Sequence, residues 1–236
     1  MKEITKKIIW LTLFSISMGF METAIVIYLR KIYYPGGFQF PLVPIDPDIG
    51  LVEFLREAAT IIMLLGIGIL TGKTASQKFS FFIYCFAVWD LFYYIFLKIF
   101  INWPESFFTW DILFLIPVPW VGPVIAPCII SVTMITLMLL IIYFQEIGLN
   151  TKIKFKEWVL LSSGSCIVIV SFMWDYFRYI HQNNSAKGIW TLSSKESMFN
   201  EISNYVPSDY NWTLFLLGEI IIVCGMVIFI IRVKRI

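Results

Sequence analysis

Residues 79–100, FSFFIYCFAVWDLFYYIFLKIF, form an apolar run with one acidic residue, Asp90, near its middle. A hydrocarbon core of about 30 Å is crossed by an α-helix of roughly 20 apolar residues, so this run has the length of a membrane span. Asp90 follows Trp89 and precedes Tyr93 and Tyr94. Ionisable side chains at membrane depth are costly and normally face a bundle interior or a wet cavity. The stretch therefore predicts a membrane helix with one polar face.

The composition of the whole chain indicates the same class of protein. Hydrophobic residues make up 59% of the chain, aromatic residues 18% and charged residues only 14%. Soluble domains average about 45–50% apolar and about 25% charged residues. The net charge of +2 is small, and no basic run is long enough to act as a nucleic-acid-binding arm. We therefore expect the lipid bilayer as a partner and no nucleic acid.

Five further segments have the length and apolar character of a span. The fold class predicted is an all-α polytopic membrane protein with six transmembrane helices, forming a single integral membrane domain over residues 1–236. The predicted spans are residues 8–28, 51–72, 79–100, 124–144, 158–180 and 212–233. The apolar run of the first span continues through Ala24 to Tyr28 with no small-residue cleavage site before Glu22, so we expect it to be retained.

An additional short interfacial or re-entrant helix is predicted before the fourth span, over residues 104–116. The motif Asn102-Trp103-Pro104-Glu105 is typical of a helix start, because proline is tolerated in the first turn and the helix dipole favours an acid there. The apolar run that follows stops at residues 117–123, PVPWVGP. This segment is too short to cross a bilayer.

The distribution of basic residues predicts the orientation. Loops on the N-terminal side of the predicted membrane carry eleven of the eighteen lysine and arginine residues, against seven on the far side. The positive-inside rule then places both termini in the cytoplasm. In a bacterium the membrane would be the cytoplasmic (inner) one.

The fifth predicted span repeats the motif around Asp90. Residues 174–179, WDYFRY, match residues 89–94, WDLFYY, at the tryptophan, the aspartate, the phenylalanine and the last tyrosine. Side chains three and four residues apart share a helical face, so Asp90 and the two tyrosines after it should lie together. The repeat is compatible with the internal duplications of some transporters.

Other spans carry ionisable residues in their outer halves, and we predict that these converge with the repeated motif at a similar depth. The candidate binding residues are Glu22, Arg30, Arg56, Glu57, Asp90, Tyr93, Tyr94, Asp175, Arg178, Tyr179 and Glu219. Acids outnumber arginines in this set, and more so when Glu53 is included. The surplus requires protons, a bound cation or water. The alternative is that Arg30, Arg56 and Arg178 pair with the acids only to orient the helices.

The leading functional hypothesis is binding or transport of a small solute, proton or cation at an outward-facing cluster of carboxylates, tyrosines and arginines. One alternative is a non-catalytic subunit of a larger membrane complex, or one copy in a homo-oligomer. The other is an intramembrane enzyme acting on lipid, although no catalytic residue is predicted. No cofactor or metal site is expected, because the single histidine, His181, cannot form a bis-histidine haem site or complete a typical zinc site.

Overall fold

The structure, a computed structural model, describes residues 2–182 and 204–234. This part of the chain contains six helices that are long and apolar enough to cross a membrane. They are α1 (Lys2–Tyr33), α2 (Pro47–Thr71), α3 (Ala75–Ile101), α4 (Ile125–Glu146), α5 (Phe155–Gln182) and α6 (Trp212–Lys234). The predicted set of six membrane-length helices is therefore confirmed, and each helix overlaps one predicted span.

Polar side chains set the start of two helices. Asp46 caps α2 and accepts a hydrogen bond from the backbone N–H of Asp48 at 2.9 Å, with Pro47 in the first turn. Thr74 caps α3 and accepts from the N–H of Gln77 at 3.2 Å. Such caps satisfy N–H groups that have no partner inside the helix.

The predicted short helix at residues 104–116 is wrong. Asn102 has a left-handed backbone (φ 52°) and caps the C-terminus of α3, so the motif that resembled a helix start instead ends a helix. The following residues form an antiparallel hairpin of β1 (Trp110–Phe114) and β2 (Trp120–Pro123). A short apolar run is ambiguous between helix and strand by pattern alone. Here the prolines of residues 117–119 favour a turn, and each strand satisfies the other's backbone groups.

The helices pack in two groups. Both α1 and α2 pack against α3, whereas α5 packs most extensively against α6. The two groups are joined where α3 and α6 each pack against α4. The β-hairpin contacts α4 and α5 through β2.

Three connections pack together at one end of the bundle, which we call the hairpin end. They are residues 34–46, the hairpin with its flanks at 102–124, and residues 204–211. Tyr205 is 1% exposed and its ring lies 5.3 Å from the rings of both Tyr176 and Tyr179 on α5. Phe38 packs in the same way on Trp103, with 6.0 Å between ring centroids. The aromatic side chains thus build an ordered cover over this end of the helices.

Candidate functional site

A cavity of about 400 Å³ extends from the hairpin end toward the middle of the bundle. Five of the helices and the β-hairpin contribute to its walls. The predicted site residues that line it are Glu22, Arg30, Arg56, Glu57, Asp90, Tyr93 and Tyr94. Two acids that were not among the predicted site residues, Glu53 and Asp111, line it as well.

Four predicted site residues are not among those lining the cavity. Asp175 is buried under residues 204–211 and accepts hydrogen bonds from the Tyr205 hydroxyl at 2.6 Å and the Ser208 hydroxyl at 2.8 Å. Tyr179 packs on the same tyrosine, and Arg178 is exposed. Glu219 lies between α4 and α6, where it accepts from the Thr133 hydroxyl at 3.2 Å. The expected convergence of all these residues in one site is therefore not observed.

The two copies of the repeated motif have different surroundings. Trp89 is 6% exposed and lines the cavity, whereas Trp174 is 39% exposed and does not. Asp90 points to α4, where the Ser131 hydroxyl donates to it at 2.8 Å. Asp175 instead holds a connection in place at the hairpin end. The motif therefore contains a cavity-lining aspartate in α3, Asp90, and a structural aspartate in α5, Asp175.

Arg56 on α2 is shared by two carboxylates. Its guanidinium donates to Glu53 at 2.8 Å and to Glu22 on α1. All three side chains are at least four-fifths buried. Arg56 therefore links α1 to α2 through these two acids.

Arg30 on α1 is held by the hairpin end. Its guanidinium lies 3.3 Å from an oxygen of Asp111 on β1. The same group lies 3.7 Å from the ring centroid of Trp103 and 4.4 Å from that of Phe38. Ring faces attract cations, and more strongly when water is excluded. Sequence analysis missed Asp111 as a site residue, and the only local signal was an acid within an otherwise apolar run.

In residues 2–182 and 204–234, the remaining two carboxylates of the cavity accept hydrogen bonds from neutral donors. Asp90 accepts from Ser131, and Glu57 accepts from the backbone N–H of Leu115 at 2.8 Å. Within the described chain, neither has a lysine or arginine nitrogen within 4.0 Å. The alternative in which every acid pairs with an arginine is therefore not observed for Asp90 and Glu57 in the described residues.

The lining of the cavity carries more acids than bases. Its carboxylates belong to Glu22, Glu53, Glu57, Asp90 and Asp111, whereas its cationic side chains belong to Arg30 and Arg56. The excess predicted from the sequence is present, although with different members. Buried charges without a partner are strongly disfavoured.

Several buried polar atoms around the cavity have no hydrogen-bond partner in residues 2–182 and 204–234. They are Arg30 Nη1, Trp89 Nε1, Asp111 Oδ2 and Trp120 Nε1. The nearby hydroxyls of Tyr93 and Tyr94 lower the pKa of Asp111. Neither hydroxyl makes a hydrogen bond to the Oδ2 atom of this carboxylate. A buried donor or acceptor left unpaired costs about 1–3 kcal/mol. These atoms are groups that a bound molecule could satisfy.

Asp111 makes the stability of the protein depend on pH. Burial raises the pKa of Asp111 from 3.8 to about 6, and the Arg30 guanidinium lowers it only in part. A carboxyl with a raised pKa stabilises the folded state fully below its ordinary pKa, and this contribution is lost as the pH rises through the folded value. Asp111→Asn cannot titrate. As the pH rises from about 5 to about 7.5, we expect the Tm of wild type to fall relative to the Tm of this variant.

Thermal unfolding followed by tryptophan fluorescence at both pH values measures this shift. Asp48→Asn, at an exposed position of α2, is the matched control for loss of an aspartate. A Tm difference that stays constant across this pH range for Asp111→Asn would contradict the assignment.

Comparison with known protein families, with curated proteins and with solved structures finds no match for this chain. Function is therefore argued from the geometry of the cavity.

Proposed function

We propose that the chain is an integral membrane protein that binds or transports a small solute, proton or cation in this cavity. With both termini in the cytoplasm, as the basic residues predict, the hairpin end faces outward. The cavity then lies in the outer half of the bundle, beneath the connections of the hairpin end. The observation that carries the proposal is the excess of carboxylates over guanidinium groups in the lining of one cavity.

The pairing within the cavity identifies where a ligand would act. Glu22 and Glu53 share Arg56, and Asp111 is paired with Arg30. Asp90 and Glu57 receive hydrogen bonds from neutral donors, which do not cancel a negative charge. A carboxylate in such surroundings needs a proton or a cation. Asp90 and Glu57 are therefore the acids at which a proton and a cationic solute would compete.

The size of the cavity supports a small ligand. Ligand sites typically enclose about 300–1,000 Å³, and this cavity is about 400 Å³. The arrangement thus favours a binding site over a purely structural network.

The Asp90→Asn variant tests the proposal. Purified protein is heated in equal concentrations of sodium, potassium and choline chloride, so that ionic strength is constant while the cation changes. Wild type is expected to unfold at a higher Tm in the cation that binds, because a ligand of the folded state stabilises it by mass action. Asp90→Asn is expected to lose this dependence on the cation.

Glu219→Gln is the matched control, because it removes a buried acid of a membrane-length helix that does not line the cavity. It should retain the same order and spread of Tm values as wild type. Identical behaviour of Asp90→Asn and wild type would contradict a role for Asp90. A wild-type Tm that is the same in all three salts would contradict cation binding.

A further inference from the structure

An aromatic wall runs along the cavity. It consists of Phe86, Trp89, Phe114, Trp120 and Phe172, all of which line the cavity. Neighbouring rings are in contact along the whole series: centroid distances are 5.2 Å from Phe86 to Trp89, 6.1 Å from Trp89 to Phe114, 5.3 Å from Phe114 to Trp120 and 6.3 Å from Trp120 to Phe172. The rings come from α3, both strands of the hairpin and α5.

The two carboxylates without a cationic partner border this wall. Asp90 directly follows Trp89 on α3. Glu57 accepts its hydrogen bond from Leu115, the residue after Phe114. Carboxylates and aromatic side chains therefore line the same cavity, and aromatic faces attract ammonium groups.

An organic ammonium fits this lining better than an inorganic cation. Aromatic faces attract an alkylated ammonium by its charge and also cover its apolar substituents. A metal ion instead requires several oxygen, nitrogen or sulfur ligands at short distance. Within the part of the chain that the structure describes, no three His, Cys, Asp or Glu side chains are grouped so that they could hold a metal ion.

The unpaired indole N–H groups indicate a second property of the ligand, a hydrogen-bond acceptor. Trp89 is 6% exposed, and its Nε1 has no acceptor among residues 2–182 and 204–234. The same is true of Nε1 of Trp120. Both residues belong to the aromatic wall. An oxygen atom on the ligand would supply the missing acceptor.

We propose that the cavity binds an organic ammonium compound that also carries an oxygen acceptor, with the ammonium against the aromatic wall and attracted by the carboxylates of Asp90 and Glu57 in the same lining. This inference rests on the proposed function and names its ligand class. An unpaired indole N–H, that of Trp89 or that of Trp120, donates to the oxygen of the ligand.

Choline and 3,3-dimethyl-1-butanol are suitable probes, because they have the same shape and the same hydroxyl and differ in the positive charge. Titration calorimetry on the purified protein measures both. Choline is expected to bind, and the neutral alcohol is expected to bind at least about tenfold more weakly, since it loses the attraction to both the rings and the carboxylates.

Phe86→Leu tests the aromatic wall, and Phe96→Leu is its matched control. Both phenylalanines are on α3 and half-buried, and both contact other rings, but Phe96 does not line the cavity. We expect Phe86→Leu to weaken choline binding roughly tenfold and Phe96→Leu to leave it unchanged.

Equal affinity for choline and the neutral alcohol would overturn the inference, as would wild-type choline affinity in Phe86→Leu. Stabilisation of wild type by sodium or potassium, dependent on Asp90 and without choline binding, would overturn this inference and leave the proposed cation site standing. If none of the three cations stabilises wild type, both this inference and cation binding in the cavity are overturned.

Discussion

Replacing Arg56 by methionine is expected to lower the free energy of unfolding by about 3–5 kcal/mol, because it leaves buried carboxylates without a cation. Glu53 and Glu22 both accept from this one guanidinium. They come from different helices, so their repulsion would also push α1 away from α2. Unfolding by denaturant in mixed micelles, followed by tryptophan fluorescence, gives the change.

Arg178→Met is the matched control for this substitution. Arg178 is exposed on α5, and exposed substitutions usually change stability by no more than about 0.5 kcal/mol. A second variant separates charge from packing: Arg56→Met combined with Glu22→Gln and Glu53→Gln removes the whole charged group. It should recover most of the loss, since neutral replacements of buried ion clusters are often tolerated. A triple variant as unstable as Arg56→Met would show that packing of the arginine, rather than its charge, is responsible.

Gly68→Ala is the second substitution with a large expected effect. A Cβ at this position of α2 would lie 2.8 Å from the carbonyl oxygen of Lys78 and 2.9 Å from the backbone nitrogen of Phe82 on α3. Backbone atoms cannot rotate away, so α2 must move. Overpacking of this kind costs about 1–3 kcal/mol.

The neighbouring Gly66→Ala provides the control on the same helix. A Cβ there meets nothing within 4 Å, and alanine is favoured over glycine inside a helix by up to about 1 kcal/mol. Thermal unfolding should therefore give a lower Tm for Gly68→Ala and an unchanged or higher Tm for Gly66→Ala. If the two variants shift the Tm in the same direction, the close approach of α2 and α3 at Gly68 is contradicted.

The two glycines show which part of the helix packing can be predicted from a sequence pattern. Gly66, Gly68 and Gly72 together indicate a helix built for close packing. Two residues correspond to more than half a turn of an α-helix, so Gly66 and Gly68 face different directions. Only the position of α3 decides which of them is at the contact.

The hairpin was missed because its local pattern is ambiguous. An apolar run of about ten residues suits either a short helix or a strand, and an asparagine followed by tryptophan and proline suits a helix start. The deciding interactions are the hydrogen bonds between β1 and β2 and the bond from the N–H of Ile125 to the carbonyl of Phe107 at 2.8 Å. With the hairpin, Asp111 and the aromatic residues Phe114 and Trp120 enter the cavity wall.

The sequence by itself determined the six membrane-length helices and the excess of acids over arginines among the candidate binding residues, because length and composition are local properties. The tertiary structure decided which acids share a cavity. Asp90 and Asp175 lie in motifs that match at four of six positions, yet one borders the cavity and the other is covered by residues 204–211. The surroundings of a helical side chain depend on how the helix is rotated against its neighbours, and that rotation is set by packing with residues far away in the chain.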